Sequence, residues 1–261
     1  MIDQLRTVSA ERELRVGVYV DAFNVYYGAR AACGRGTAGW RWLDLAALAK
    51  VLINPRVWPN ARLVAVVYCT APRDREGDDS SLRDQQTYIG ALRNYIPELL
   101  IVNGKYVPRV KTGVLIERAQ NGRPQRRVPA PPADQLPGWL PAEAVEGPGG
   151  APELLVSVST FEEKGSDVNV ASQLLIDVLS RRVDAAMVFS NDSDLHYPLQ
   201  HARLHIPVAT INPSVKATAM DLRGNRDDGA GGHWWRRLRP EDFFKSQLPD
   251  QVGPYIKPFG W

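Results

Sequence analysis

Apolar and polar positions recur along this chain in two rhythms, one of period 3.6 and one of short unbroken runs. Both are legible together between Glu162 and Leu199. Val168, Ala171, Leu174, Leu175, Val178 and Leu179 fall at the i, i+3, i+4, i+7 spacing of one apolar helical face. Ser166 and Asp167 stand where an N-cap and first turn belong, and Arg181 and Arg182 where cations favour a helix C-terminus. After a turn at Val183-Asp184, the run Ala185–Ser190 has the character of a strand buried in a parallel sheet. It stops at Asn191-Asp192-Ser193-Asp194. Helix, strand and acidic loop follow in order.

The same alternation extends through most of the chain. Val16–Val20 predicts a first strand, ending in Asp21-Ala22-Phe23-Asn24, and Gly28 to Gly39 reads as a loop by composition. Leu45, Leu48, Ala49 and Leu52 predict a helix over Leu43–Leu52. Arg62–Cys69 is a second buried strand, closed by the polar loop Ala71–Asp79. Leu82, Tyr88, Ile89, Leu92 and Tyr95 predict a helix over Ser80–Tyr95, stopped by Pro97, and Leu99–Val102 a third strand. Leu154–Phe161 predicts a strand leading into the helix at Ser166. Further on come a helix over Pro198–Arg203, a strand over Ile206–Ile211 and a helix over Ser214–Leu222. A loop follows over Gly224–Gly232, then a short helix over Pro240–Gln247 and an irregular tail. Strands alternating with helices imply a three-layer α/β/α domain with a mostly parallel central sheet.

The rhythm fails over residues 105–152. Arg109, Lys111, Arg118, Arg123, Arg126 and Arg127 precede a Pro- and Gly-rich stretch, which reads as an extended or mobile insertion. Its cations are either a solvated loop or a basic flap for phosphates. The remaining boundaries are an extension over 1–14, the main domain over 15–212 and a C-terminal tail over 213–261 packing on it.

The net charge of +3 announces no global cationic field. Cys33 and Cys69 have no metal-ligand spacing, and Cys69 closes an apolar run where a buried reduced thiol is expected. The N-terminus has no apolar leader region and no run approaches a membrane span, so a soluble cytoplasmic protein is expected.

In open α/β sheets, ligands bind outside the carboxyl ends of the strands. Asp21, Asp192 and Asp194 follow strands and Asp167 opens a helix, so four carboxylates are expected at one edge. One such loop alone is equally a turn with a helix cap. Four converging carboxylates require cations or raised pKa values, and an all-oxygen site suits Mg²⁺ or Mn²⁺. Asn24 and Ser190 could add neutral ligands or position water. None of these loops holds His or Cys, which argues against zinc, and neither a Ser-His-Asp order nor a P-loop is present.

Three ordered motifs carry a resemblance: Val20-Asp21-Ala22-Phe23-Asn24, then Lys164-Gly165-Ser166-Asp167-Val168, then Ser190-Asn191-Asp192-Ser193-Asp194 continuing to Pro198-Leu199. Together they resemble the NYN branch of the PIN-like nucleases, over about residues 15–212. Asn191 and Ser193 stand where that family has glycine, and Leu195 where it has Phe. The resemblance implies a Rossmann-like sheet and a divalent-metal endoribonuclease, with Asp21, Asp167, Asp192 and Asp194 as catalytic metal ligands and Asn24 in support. Lys164 would contact phosphate or pair with Glu162 or Glu163. Ser190 and Asn191 would lie against substrate. Trp234, Trp235, Arg236, Arg237 and Arg239 either stack and neutralise single-stranded RNA or pack the tail. The expected activity is RNA phosphodiester hydrolysis with Mg²⁺ or Mn²⁺. The alternatives are an RNA- or protein-binding module with a vestigial site and, less well matched, a phosphatase or nucleotide-sensing domain. A homo-oligomer is left open.

Overall fold

The computed structural model describes residues 13–72, 79–119 and 124–261. Expectations placed on residues 1–12, on Arg123 and on the middle of the loop Ala71–Asp79 lie outside the described residues. In chain order the first elements are β1 (Leu14–Asp21), α1 (Ala22–Cys33), α2 (Leu45–Leu52), β2 (Ala61–Thr70), α3 (Asp79–Tyr95) and β3 (Leu99–Asn103). Then come β4 (Lys105–Val114), β5 (Ile116–Arg118), β6 (Pro124–Arg127), β7 (Ala142–Glu146) and β8 (Pro152–Lys164). The chain continues with α4 (Ser166–Leu179), β9 (Ala185–Phe189), a 3₁₀ turn (Ser193–Leu195), α5 (His196–Arg203), β10 (Val208–Asn212), α6 (Met220–Arg223), β11 (Trp234–Arg237) and α7 (Pro240–Lys245). A small hairpin of β12 (Gln251–Val252) and β13 (Tyr255–Ile256) completes it.

The central sheet has the order β11-β10-β9-β1-β2-β3, and every neighbouring pair is parallel. Parallel strands need both faces covered, which is why these runs are apolar throughout. On one face Val16, Val18, Val20, Met187, Phe189 and Tyr68 pack with α1, α2, α3, three buried tryptophans (Trp40, Trp42, Trp58) and Phe243 of α7. On the other, Tyr19, Val67, Cys69 and Val188 pack with Val170, Leu174 and Val178 of α4, Leu199 of α5 and Leu222 of α6. The architecture is a Rossmann-like α/β fold. The chain leaves β1 toward β2 and β3 on one side and returns through β9, β10 and β11 on the other. The strand order therefore reverses between β1 and β9.

Residues Tyr106–Glu163 form a second compact unit. In it β4, β8 and β7 make a three-stranded sheet, and β5 and β6 an antiparallel pair. Tyr106 and Phe161 stack with ring centroids 6.0 Å apart. Arg127 donates to both Glu153 oxygens, at 3.0 and 2.8 Å, and Arg126 reaches Glu117 at 2.6 Å. The strand expected over Leu154–Phe161 thus belongs to this unit rather than to the central sheet.

Other differences have local causes. The expected loop from Gly28 is helical as far as Cys33. Gly28 is there because α1 crosses a backbone: a Cβ would sit 2.4 Å from the Pro213 carbonyl oxygen. Only Met220–Arg223 of the helix expected over Ser214–Leu222 forms. The buried stripe of α4 is Val170, Leu174, Asp177 and Val178, while Val168 and Leu179 are exposed. Asp177 draws the helix round, since it accepts from Tyr19 Oη, Gln173 Nε2 and Arg182 Nη1. The N-cap of α4 is Gly165 at φ 95°, not Ser166. Trp234–Arg237, read within the tail, supplies the sixth strand, and the Trp234 ring packs on Trp58 at 5.4 Å.

Candidate active site

Two regions at the carboxyl edge of the sheet hold the chemistry-bearing residues. The first lies at the reversal between β1 and β9, where doubly wound folds bind ligands. Asp21 is both the last residue of β1 and the N-cap of α1, and is buried. Its Oδ1 accepts the Asn24 N–H at 3.0 Å and its Oδ2 accepts the Ser190 hydroxyl at 3.2 Å. Asn24 Oδ1 accepts the Asn191 N–H at 3.1 Å, and Ser190 Oγ accepts the Asp192 N–H at 3.1 Å. Asp192 Oδ1 in turn accepts the Asp194 N–H at 3.1 Å, capping the 3₁₀ turn. The Asn191 side chain is engaged at both ends, donating to Ser214 Oγ and the Ala217 carbonyl and accepting from the Ala219 N–H. Orphan helix amides make carboxylates welcome at these positions.

Six of the expected residues are therefore joined: Asp21, Asn24, Ser190, Asn191, Asp192 and Asp194. Asp167 lies in the first turn of α4 and shares no hydrogen bond with them. Lys164 ends β8 and is exposed. Arg236 is paired with Asp242 at 2.6 Å, and Arg237 donates to the Val215 carbonyl at 3.3 Å. Among the described residues, no group of three or more His, Cys, Asp or Glu side chains is placed to hold a metal ion. The buried charge of Asp21 acts on its neighbours. Burial first, and Asp21 second, push the Cys69 thiol up to about 12, and the same two causes raise the Tyr68 phenol. Both stay neutral at physiological pH.

The second region was not anticipated. A cavity of about 520 Å³ opens beside the first turns of α1 and α3. Phe23, Tyr26 and Tyr27 come from α1, Trp40 and Arg41 from the segment before α2, Tyr68 and Thr70 from the end of β2, and Phe259 to Trp261 from the C-terminal segment. Tyr26 packs on Trp40 at 5.5 Å, and Trp261 meets Tyr88 at 6.0 Å and Trp42 at 6.2 Å. Arg41 lies over Trp40 and donates to the Gly260 carbonyl at 2.9 Å, pinning the C-terminal segment as a wall. The available signal was an aromatic stripe ending in a cation, Phe23, Tyr26, Tyr27 and Arg30, at helical spacing.

No family model matches this chain. Over 268 residues it is 30% identical to 6-hydroxy-3-succinoylpyridine 3-monooxygenase HspA of Pseudomonas putida, a match covering 95% of this chain and 75% of that protein. The chain belongs to the family of that monooxygenase. A crystal structure of a protein of unknown function from Vibrio parahaemolyticus is similar at a TM-score of 0.46 and 14% identity, covering 90% of this chain and 98% of the other. The monooxygenase family overturns the expected endoribonuclease: it points to an oxidoreductase, not to a phosphodiester hydrolase. The expectation of Mg²⁺ or Mn²⁺ falls with it. The physical reason is on the sheet edge, where Asp21 and Asp192 are occupied as helix and turn caps and Asp167 stands apart from their network. No helix among the described residues is long and apolar enough to cross a membrane.

Proposed function

We propose that this chain is an oxidoreductase that places one atom of dioxygen on an aromatic ring. The observation that carries the reading is 30% identity with a monooxygenase, spread over 95% of the chain. The aromatic cavity supports it, being of the size that buries one small ligand and walled by rings. At a ring carbon that bears hydrogen the reaction balances as ring C–H plus dioxygen, two electrons and two protons giving ring C–OH plus water. At a carbon that bears an acyl group, as position 3 does in the relative's named substrate, the acyl group must leave: as the carboxylic acid with two electrons and two protons, or as the aldehyde plus water with four of each. A reduced nicotinamide would supply the electrons, and a flavin is the redox group that such chemistry suggests.

A dinucleotide does not fit the place this topology reserves for one. There the turn after the first strand is normally glycine-rich and leaves helix amides open to a pyrophosphate. Here that turn is Asp21-Ala22-Phe23-Asn24, and the buried Asp21 carboxylate already accepts the Asn24 amide. An incoming pyrophosphate would meet negative charge. The chain's own contribution is to hold and orient the ring substrate and to shield it from water.

For ancestry, we favour the PIN-like branch of the Rossmann-like folds, supported by DAFN after β1 and SNDSD after β9 meeting at the reversal point. A shared scaffold carries no activity with it. The test is turnover of 6-hydroxy-3-succinoylpyridine under ¹⁸O₂ with reduced nicotinamide and added flavin. A hydroxylated product carrying one ¹⁸O is expected. Unlabelled product, or none with any nicotinamide and flavin pair, overturns the reading.

A further inference from the structure

We infer that the aromatic cavity binds a planar aromatic acid, with the ring among the side chains of Phe23, Tyr26 and Trp261 and the carboxylate on Arg30 and Arg35. The choice of ligand class deepens the oxidoreductase reading and rests on it, but the geometry stands by itself. Among the described residues that line the cavity, three are arginines and Asp84 is the one acidic side chain. Arg41 is committed, since it donates to the carbonyls of Thr37, Arg35 and Gly260. Arg30 and Arg35 form no ion pair among the described residues.

Arg30 is half-buried in the last turn of α1, one to two turns beyond Phe23, Tyr26 and Tyr27 on the same helix. A half-buried guanidinium gains from a planar, bidentate anion, and a carboxylate matches its fork. The rings supply faces and edges for a flat heterocycle. Thr70 and Asp84 add polar groups for a ring hydroxyl or nitrogen. Contrast a second cavity, beside α5 and α6. Its buried Arg203 is already bonded to Thr210 Oγ1 and to the Leu222 carbonyl.

The test is binding in the absence of reductant, followed by calorimetry or tryptophan fluorescence on the full chain. Three probes divide the ligand: 6-hydroxy-3-succinoylpyridine, 2-hydroxypyridine for the ring alone, and succinate for the acid alone. The whole molecule should bind at least about tenfold more tightly than either half. Arg30→Gln should weaken the whole molecule by about tenfold or more and leave the ring probe unchanged, with Arg30→Lys recovering part of the loss. Trp261→Phe should weaken the ring probe, and Arg35→Gln provides a second test of the acid end. Halves that bind as well as the whole, or an unchanged affinity in both arginine variants, overturn the site. Intact binding without hydroxylation would overturn the oxidoreductase reading and leave the site standing. Turnover with an unchanged KM in both arginine variants would do the reverse.

Discussion

The two regions at the carboxyl edge differ in what their polar atoms are doing. At the reversal between β1 and β9 the carboxylates, amides and hydroxyls satisfy one another: Asp21 holds Asn24 and Ser190, and Ser190 and Asp192 hold the backbone beyond. In the cavity, rings pack closely while Arg30 and Arg35 stand without an anionic partner among the described residues. The acidic region has the more suggestive residues and the cavity the more available ones. Residue type nominates a site, but the satisfaction of its atoms decides whether it builds the fold or awaits a ligand.

The sharpest way to break this comparison is Asp21→Ala. If the carboxylate is structural, its loss removes the cap of α1, leaving the part-buried Asn24 amide and the buried Ser190 hydroxyl without that acceptor. A cost of about 2–4 kcal/mol is expected in urea denaturation. A loss under about 1 kcal/mol would show that the network does not hold the fold.

Gly28→Ala comes next, because α1 joins both regions. The added methyl would meet the Pro213 carbonyl at 2.4 Å, so α1 must shift. A loss of about 1–3 kcal/mol is expected, with weaker ring binding in the cavity. Unchanged stability would mean that α1 is free to move.

A third test uses pH to probe structural bonding outside both regions. His233 is buried, with Nδ1 accepting the Val208 N–H at 3.0 Å and Nε2 facing the Asp228 carbonyl at 2.7 Å. Burial, the larger cause, lowers its pKa below the ordinary 6.5. The folded protein thus binds the proton less readily than the unfolded chain, so this contribution to stability is full above 6.5 and is lost as pH falls through the depressed value. Denaturation midpoints from pH 7.5 down to 5 should decline, and His233→Gln should flatten that part of the curve. Equal slopes in the two proteins would refute it.

The smallest expected effect is the stability change in Arg30→Gln. A cation without an ion-pair partner in the last turn of α1 contributes under about 1 kcal/mol. A larger loss in thermal unfolding would place Arg30 among the structural residues and erase the contrast.

Much of this was legible in the chain. The buried strands β1, β2, β9 and β10 announce themselves as unbroken apolar runs, and α2 and α3 by their period. The helix α1 was missed because it begins with no gap after β1: Asp21 ends the strand and caps the helix in one residue. Ala171, Leu174, Leu175 and Val178 of the expected face of α4 do pack on the core, but Val168 and Leu179 are exposed, and the burial of Asp177, bonded to Tyr19, Gln173 and Arg182, cannot be read from hydropathy. The acidic loops do follow the carboxyl ends of β1 and β9, yet sequence could not show that both Asp21 oxygens and one of Asp192 are already engaged within the fold. The cavity was hidden for another reason. Its walls come from Phe23, Trp40, Tyr68, Tyr88 and Trp261, which only the folded chain brings together.

The position of the second unit in the chain has a consequence for synthesis. Ser190 lies 169 residues beyond Asp21, its partner across the reversal point. At a ribosomal rate of about 5–20 residues per second, β1 emerges roughly 8–35 seconds before β9. Throughout that interval the backbone edge of β1 that will pair with β9 has no native neighbour, as an unpaired edge prone to wrong associations. Expression yield should therefore respond to holdase chaperones more strongly than the stability of the finished protein would suggest.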